Sequence, residues 1–194
     1  MKLSLDLKKE SRPEWIKAVL DDFDSFLQDH ANCERKASAM AMSFVAKFPD
    51  RTEILPELIE TGIEELEHFK DVYALMEKRG VLLPAEIGQD LYVKALIGHC
   101  RSGREERFLD RLLLASIIEC RGAERFRLVS EHISDPELRE FYKRLWVSEA
   151  RHGNIFVKMA LNYFEENEVF NRLESLNDIE SEVIYDMPVT AALH

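Results

Sequence analysis

Residues 58–76 read LIETGIEELEHFKDVYALM, and the fold turns on which of these charges face inward. Glu60, Glu64, Glu67 and Asp71, continued backwards by Glu57 and Glu53, recur at helical spacing and make one acidic stripe, which is a solvated face. Leu58, Gly62, Glu65, Phe69, Val72 and Met76 make a second, apolar stripe in which Glu65 is the one charge and His68 stands at the edge. Glu65 and His68 are three residues apart, so both side chains leave the helix on one face and can reach one metal ion. SEARHG, residues 148–153, repeats the spacing with Glu149 and His152, on a face formed by Tyr142, Leu145, Trp146, Phe156 and Tyr163. Chance alone gives about 0.8 such Glu-x-x-His pairs in a chain of this composition, so the pairs gain meaning only from their surroundings.

Two further apolar faces each hide a single glutamate. Leu27, Ala31, Glu34, Ser38, Ala41 and Val45 form one line, and Phe108, Leu112, Ala115, Glu119, Ala123 and Phe126 form the other. Glu34 and Glu65 are 31 residues apart and Glu119 and Glu149 are 30 apart, so the chain reads as two versions of one helix hairpin.

The rest of the sequence fits that plan. With 194 residues, 46% hydrophobic, and only 7 glycines and 6 prolines, the chain is expected to form one all-α domain over residues 1–194. Ser11-Arg12-Pro13-Glu14 reads as a helix start, with helical periodicity to about Phe48 and a break or bend near Asp29. Asp50 is expected to cap a second helix that carries Thr52 to Arg79 and stops at Gly80. A less regular stretch, Val81 to Gly103, with a short helix around Leu91 to Ile97, has the length of a crossover. Helices over about Arg104 to Ile133 and from Asp135-Pro136 to about Phe164 follow, and then an acidic helical tail ending near Pro188. Two antiparallel pairs joined by one long connection make a ferritin-like four-helix bundle with one crossover, its core at about 12–165, plus N-terminal and C-terminal helical extensions.

The opening MKLSLDLKKE lacks the apolar core of a signal peptide, and LLLASII at 112–118 is too short to span a bilayer, so a cytoplasmic protein is expected. Cys33, Cys100 and Cys120 make no CxxC pair and read as buried free thiols in a reducing compartment. The net charge of -11 argues against a general nucleic-acid coat. Most of that charge sits in the tail, where eight acidic residues face Arg172 alone from Glu165 onward.

Four glutamates converging on an apolar core cost far more, if ionised and isolated, than the ~5–15 kcal/mol by which a typical fold is stable. Two divalent cations balance four carboxylates beside two neutral imidazoles, whereas one cation leaves a residual negative charge. Mixed carboxylate and imidazole ligands suit iron or manganese better than a closed zinc site. Glu34, Glu65, His68, Glu119, Glu149 and His152 are therefore read as a two-metal site, a plan that resembles the ligand set of ferritin-like proteins. These ligands alone leave iron storage, peroxide dismutation, radical formation and hydroxylation open. Small residues beside them, namely Ala31, Ser38, Ala41, Ala115, Ser116 and Gly122, fit either a substrate cavity or close helix packing.

Four stretches narrow the choice: DHANCERKAS (29–38), EELEHF (64–69), GHCRSGREERFLDRLLLASIIECRGAERF (98–126) and SEARHG. They resemble the tRNA hydroxylase family called MiaE over roughly residues 10–165, with the acidic tail matching least. The resemblance implies a non-haem di-iron monooxygenase that uses O2 and two electrons to hydroxylate the isopentenyl group of 2-methylthio-isopentenyl-adenosine, next to the anticodon in tRNA. It also implies that the six residues ligate two iron ions. The alternative is a ferroxidase, iron-binding or peroxide-handling protein without a nucleic-acid substrate. The sequence carries no flavin or nicotinamide motif, so an external donor such as a ferredoxin and reductase system is expected, with the protein a monomer or dimer. Arg101, Arg104, Arg107 and Arg111 cluster around the end of the crossover; the first three are the candidates for tRNA phosphate contact, and Arg121, Arg125, Arg127, Lys143 and Arg144 are expected to extend the patch.

Overall fold

The computed structural model describes residues 3–86 and 88–194; Met1, Lys2 and Ile87, the last within the stretch expected as the crossover, lie outside the described residues. The described residues form seven helices and no strand: α1 (Pro13–Asp21), α2 (Phe23–Lys47), α3 (Leu55–Arg79), α4 (Leu91–Gly98), α5 (Arg104–His132), α6 (Pro136–Leu161) and α7 (Glu166–Asp186). The chain divides into two compact units, one made of Lys17–Gly88 and Thr190–Leu193, the other of Met1–Ile16, Gln89–Val189 and His194.

The first unit is built on the α2–α3 hairpin. The expected break near Asp29 falls seven residues earlier, at Asp22, whose side chain accepts a hydrogen bond from Ser25 N at 3.2 Å and so starts a new helix. Asp29 lies inside α2, where its carboxylate accepts from the Leu193 amide at 2.7 Å. Asp50 does not cap α3. Successive turns carry the chain from Phe48 to Ile54, and α3 starts at Leu55 because Pro56 is pre-set for a first helical turn and has no amide to satisfy. Gly80, with φ of 69°, ends α3 as expected. Phe26, Leu27, Ala31, Ala41 and Phe44 of α2 and Leu58, Val72 and Met76 of α3 are buried. One turn from the ligand positions, Ser38 Oγ donates to the Gly62 carbonyl at 2.7 Å, which holds the two helices close.

The second unit is built on the α5–α6 hairpin. Asp135 caps α6 by accepting from Glu137 N and Leu138 N, as its place before Pro136 leads one to expect. Phe108, Leu112, Phe126, Tyr142 and Phe156 are among its buried core. A second clasp, Ser116 Oγ to the Gly153 carbonyl at 2.6 Å, mirrors the one in the first unit. A Cβ on Gly153 would stand 2.8 Å from Cys120 Sγ, so only glycine fits there without movement. Cys33 is buried, but Cys100 and Cys120 are only partly so, contrary to the expectation for all three.

The acidic tail is a packed helix. Val169, Leu173, Leu176 and Ile184 of α7 are buried, and its contacts run to α4, α5 and α6. Asn177 Nδ2 donates to the Asp6 carbonyl at 2.8 Å, and Leu3 N donates to Asn154 Oδ1 at 2.6 Å, so the segment before α1 is tied to both α7 and α6. No helix among the described residues is long and apolar enough to cross a membrane.

Candidate metal centre

In the first unit, α2 supplies Glu34 and α3 supplies Glu65 and His68. Each offers one ligand atom, and these atoms lie within 4.8 Å of one another. Glu34 and Glu65 are 3% and 1% exposed, while the His68 side chain retains 15%. His68 Nδ1 stands 3.5 Å from Glu65 Oε2, the distance that an i, i+3 helical spacing permits, and 3.7 Å from Glu34 Oε2.

The second unit repeats the set. Glu119 of α5 and Glu149 and His152 of α6 bring three ligand atoms within 4.8 Å of one another, all three residues buried. His152 Nδ1 is 3.2 Å from Glu149 Oε2. Each unit therefore gathers two carboxylates and one imidazole where water is scarce. Like-charged carboxylates this close resist joint ionisation unless a cation lies beside them, and oxygen with nitrogen donors suits a hard or borderline divalent ion. The donor sets fit a metal site. Ser38 and Ser116 are accounted for by the two helix clasps. Gly122 differs: it is buried, yet a Cβ placed on it would meet no atom within 4 Å.

One site residue escaped the sequence reading. His30 is fully buried on α2, one turn before Glu34, and its Nε2 lies 2.6 Å from Glu34 Oε1. The His-x-x-x-Glu spacing was the available signal, since i and i+4 side chains meet on a helix.

The arginines divide into four groups. Arg104 and Arg107 are exposed at the start of α5. Arg101 is half-buried and committed to Asp110, with Nη2 to Oδ1 at 2.8 Å, and Arg172 from α7 takes the other oxygen at 2.8 Å. Burial pushes the Asp110 carboxyl up, but hydrogen bonds from Arg172 and Arg101 outweigh it and hold the group below the usual carboxylate range. Arg121 and Arg125 do not extend a surface patch, because both are buried. Arg121 forks onto Glu180 at 2.9 and 3.1 Å and reaches Glu124 at 3.0 Å. Arg125 lies over the Trp15 ring at 4.7 Å, and burial together with neighbouring Arg121 pushes its guanidinium down to about 10. Arg127 pairs with Glu131 at 3.1 Å. A cleft of about 480 Å³ on the second unit, lined by Leu5, Leu7, Cys120, Trp146 and Asn154 among others, carries Asp6, Glu10 and Glu124 against Arg127, a lining of net negative charge that disfavours phosphate.

Three comparisons bear on what these sets serve. The family model described as tRNA-(MS[2]IO[6]A)-hydroxylase (MiaE) matches residues 2–194. A tRNA 2-(methylsulfanyl)-N(6)-isopentenyladenosine(37) hydroxylase of Pseudomonas putida is 36% identical over 171 residues, which is 88% of this chain and 82% of that protein. The protein of the same description from Salmonella typhimurium is 29% identical over 121 residues, 62% of this chain and 44% of that one. Among solved structures, a protein with aldehyde deformylating oxygenase activity from Synechococcus superposes with a TM-score of 0.92 at 31% identity, covering 98% of this chain and 96% of its own. The fold class is accordingly all-α and ferritin-like, as the hairpin repeat leads one to expect. The family match spans nearly the whole sequence, including the acidic tail, and on that ground the chain belongs to the MiaE family of tRNA hydroxylases.

Proposed function

We propose that the chain is an O2-dependent tRNA hydroxylase that adds one oxygen to the isopentenyl group of a 2-methylthio-isopentenyl-adenosine beside the anticodon. The observation that carries this reading is the pair of buried carboxylate and imidazole sets, Glu34, Glu65, His68 and Glu119, Glu149, His152, within a chain of this family. Together these six residues hold two iron ions, and the two units act as one domain, a reading supported by the family match across both. When bound, the iron pair supplies the activation of O2 that no amino-acid side chain provides.

The remaining work falls to side chains. The apolar faces around the glutamates exclude water from the ligands and leave room for an apolar tail. The modified base leaves the anticodon-loop stack to reach a buried site, as bases do in other enzymes that act on them. Arg104 and Arg107, and Arg101 through whatever its bond to Asp110 leaves, meet backbone phosphate. Two electrons come from a separate ferredoxin or reductase, and the enzyme works in the cytoplasm as a monomer or dimer.

The test is to load the reduced protein with iron, add O2 and tRNA that lacks the hydroxyl, and digest the product for mass spectrometry. The modified nucleoside should gain one oxygen atom. An unchanged nucleoside under conditions where the protein holds two irons would remove tRNA as the substrate.

A further inference from the structure

The two halves of the hairpin repeat are alike in their ligands but not behind them. Four residues before Glu34 stands His30, and four residues before Glu119, at the matching place, stands Ala115. Side chains at i and i+4 meet on a helix, so the first glutamate has an imidazole against it and the second has a methyl group. The His30 ring is fully buried, tilted against Phe26 with centroids 5.8 Å apart, and so has one orientation available to it. Its Nε2 is 2.6 Å from Glu34 Oε1. With Glu34 ionised, as a metal ligand is, its oxygens only accept, and Nε2 then carries the hydrogen. The other oxygen, Oε2, is the one that stands 3.7 Å from His68 Nδ1.

We propose that His30 is a positioning residue for Glu34. Its N–H occupies Oε1 and thereby presents Oε2 alone to the metal beside Glu65 and His68, fixing Glu34 as a one-oxygen ligand. Ala115, at the matching place before Glu119, carries no donor, so an imidazole N–H from one turn back is particular to the Glu34 side of the repeat. This inference rests on the metal reading above. Partners that orient a ligand change metal affinity by about 10–100-fold when removed, because the ligand must otherwise be ordered at the moment of binding.

Cobalt(II) binding to the metal-free full-length protein tests this, followed by the visible absorption of the bound ion and by equilibrium dialysis. Wild type should take up two equivalents. His30→Met fills the same space without a donor, and should weaken one equivalent by about 10–100-fold while leaving the other within about twofold. His30→Gln places an amide N–H near the position of Nε2 and should restore most of the lost affinity. Circular dichroism melts show that each variant is folded. Two unchanged affinities in folded His30→Met would overturn the proposal, and so would equal losses in the Met and Gln variants, since a mere packing role would not distinguish donor from non-donor. A wild-type protein that binds no metal would remove the two-metal reading and this inference with it, whereas a wild type with two equivalents and an indifferent His30 removes the inference alone.

Discussion

Glu180 lies on α7 in the acidic tail, and its replacement measures how firmly that helix is fastened to α5. The carboxylate and its partner Arg121 are both fully buried, joined by two hydrogen bonds of 2.9 and 3.1 Å, and the Tyr92 hydroxyl donates to the same Oε1 at 3.0 Å. Removing one member of a buried pair costs about 3–5 kcal/mol because the other charge is left in a poor solvent. Glu180→Gln keeps the volume and one accepting oxygen, and Glu124 still reaches Arg121 at 3.0 Å, so the lower end applies, about 3 kcal/mol. For a chain of this length that is a fall in Tm of about 6–12 °C. Urea and thermal unfolding at pH 7 would measure it. The double variant Arg121→Met with Glu180→Leu removes both charges together and should recover most of the loss. A cost below about 1 kcal/mol for Glu180→Gln, or a double variant as unstable as the sum of the singles, would refute the reasoning that this buried pair helps to hold α7 on α5.

Other expectations follow from the same geometry. Glu65→Ala should lower bound iron well below two ions per chain, measured by elemental analysis, while leaving the helix content intact. Gly122→Phe fills space that a Cβ leaves open, so it should cut hydroxylation of tRNA while the iron content stays at the wild-type level; unchanged turnover would mean that the substrate lies elsewhere. Reversing Arg104 and Arg107 to Glu should weaken tRNA binding and flatten the dependence of log affinity on log salt by about 0.7 per lost phosphate contact, whereas Arg101→Ala should chiefly lower stability through Asp110. Asp110 titrates below its unfolded value, so its contribution is complete above about pH 5 and is lost as pH falls through the lowered folded pKa. The stability gap between wild type and Asp110→Asn should therefore be widest near neutrality and close in acid, as urea melts at pH 7, 4 and 3 would reveal.

The helices were legible because each carries a period that a single stripe satisfies. On the apolar stripe of α3, Leu58, Gly62, Glu65, Val72 and Met76 are buried and Phe69 half-buried, while on the acidic stripe Glu60, Glu67 and Asp71 are exposed and Glu57 and Glu64 partly so. The ends were harder. Asp22 and Asp29 offer the same side chain to a helix start, and the sequence does not say which one lies where the chain turns. Asp50 looks like a cap in isolation, but Pro56 imposes a later start. Capping chemistry identifies residues able to end a helix, and tertiary packing selects among them.

Within the candidate centre, the residues that announced themselves were charges on otherwise apolar lines. His30 and Arg121 were missed for opposite reasons. Arg121 was read as surface because arginines are seldom fully buried, and its partner Glu180 lies 59 residues away, in a tail whose charge looked solvated. His30 stands one turn from a glutamate already singled out, but an imidazole there breaks no pattern, since a buried histidine is compatible with any core that offers it an acceptor. Supporting groups are thus systematically less visible than ligands: a ligand violates the polarity of its face, whereas the residue that orients it is betrayed only by a distance. The contrast between His30 and Ala115 shows the use of a repeat in closing that gap. Two hairpins that agree at Glu34 and Glu119 and at both Glu-x-x-His pairs act as controls for each other, and the position one turn before the first glutamate, where His30 in one answers to Ala115 in the other, is where they part.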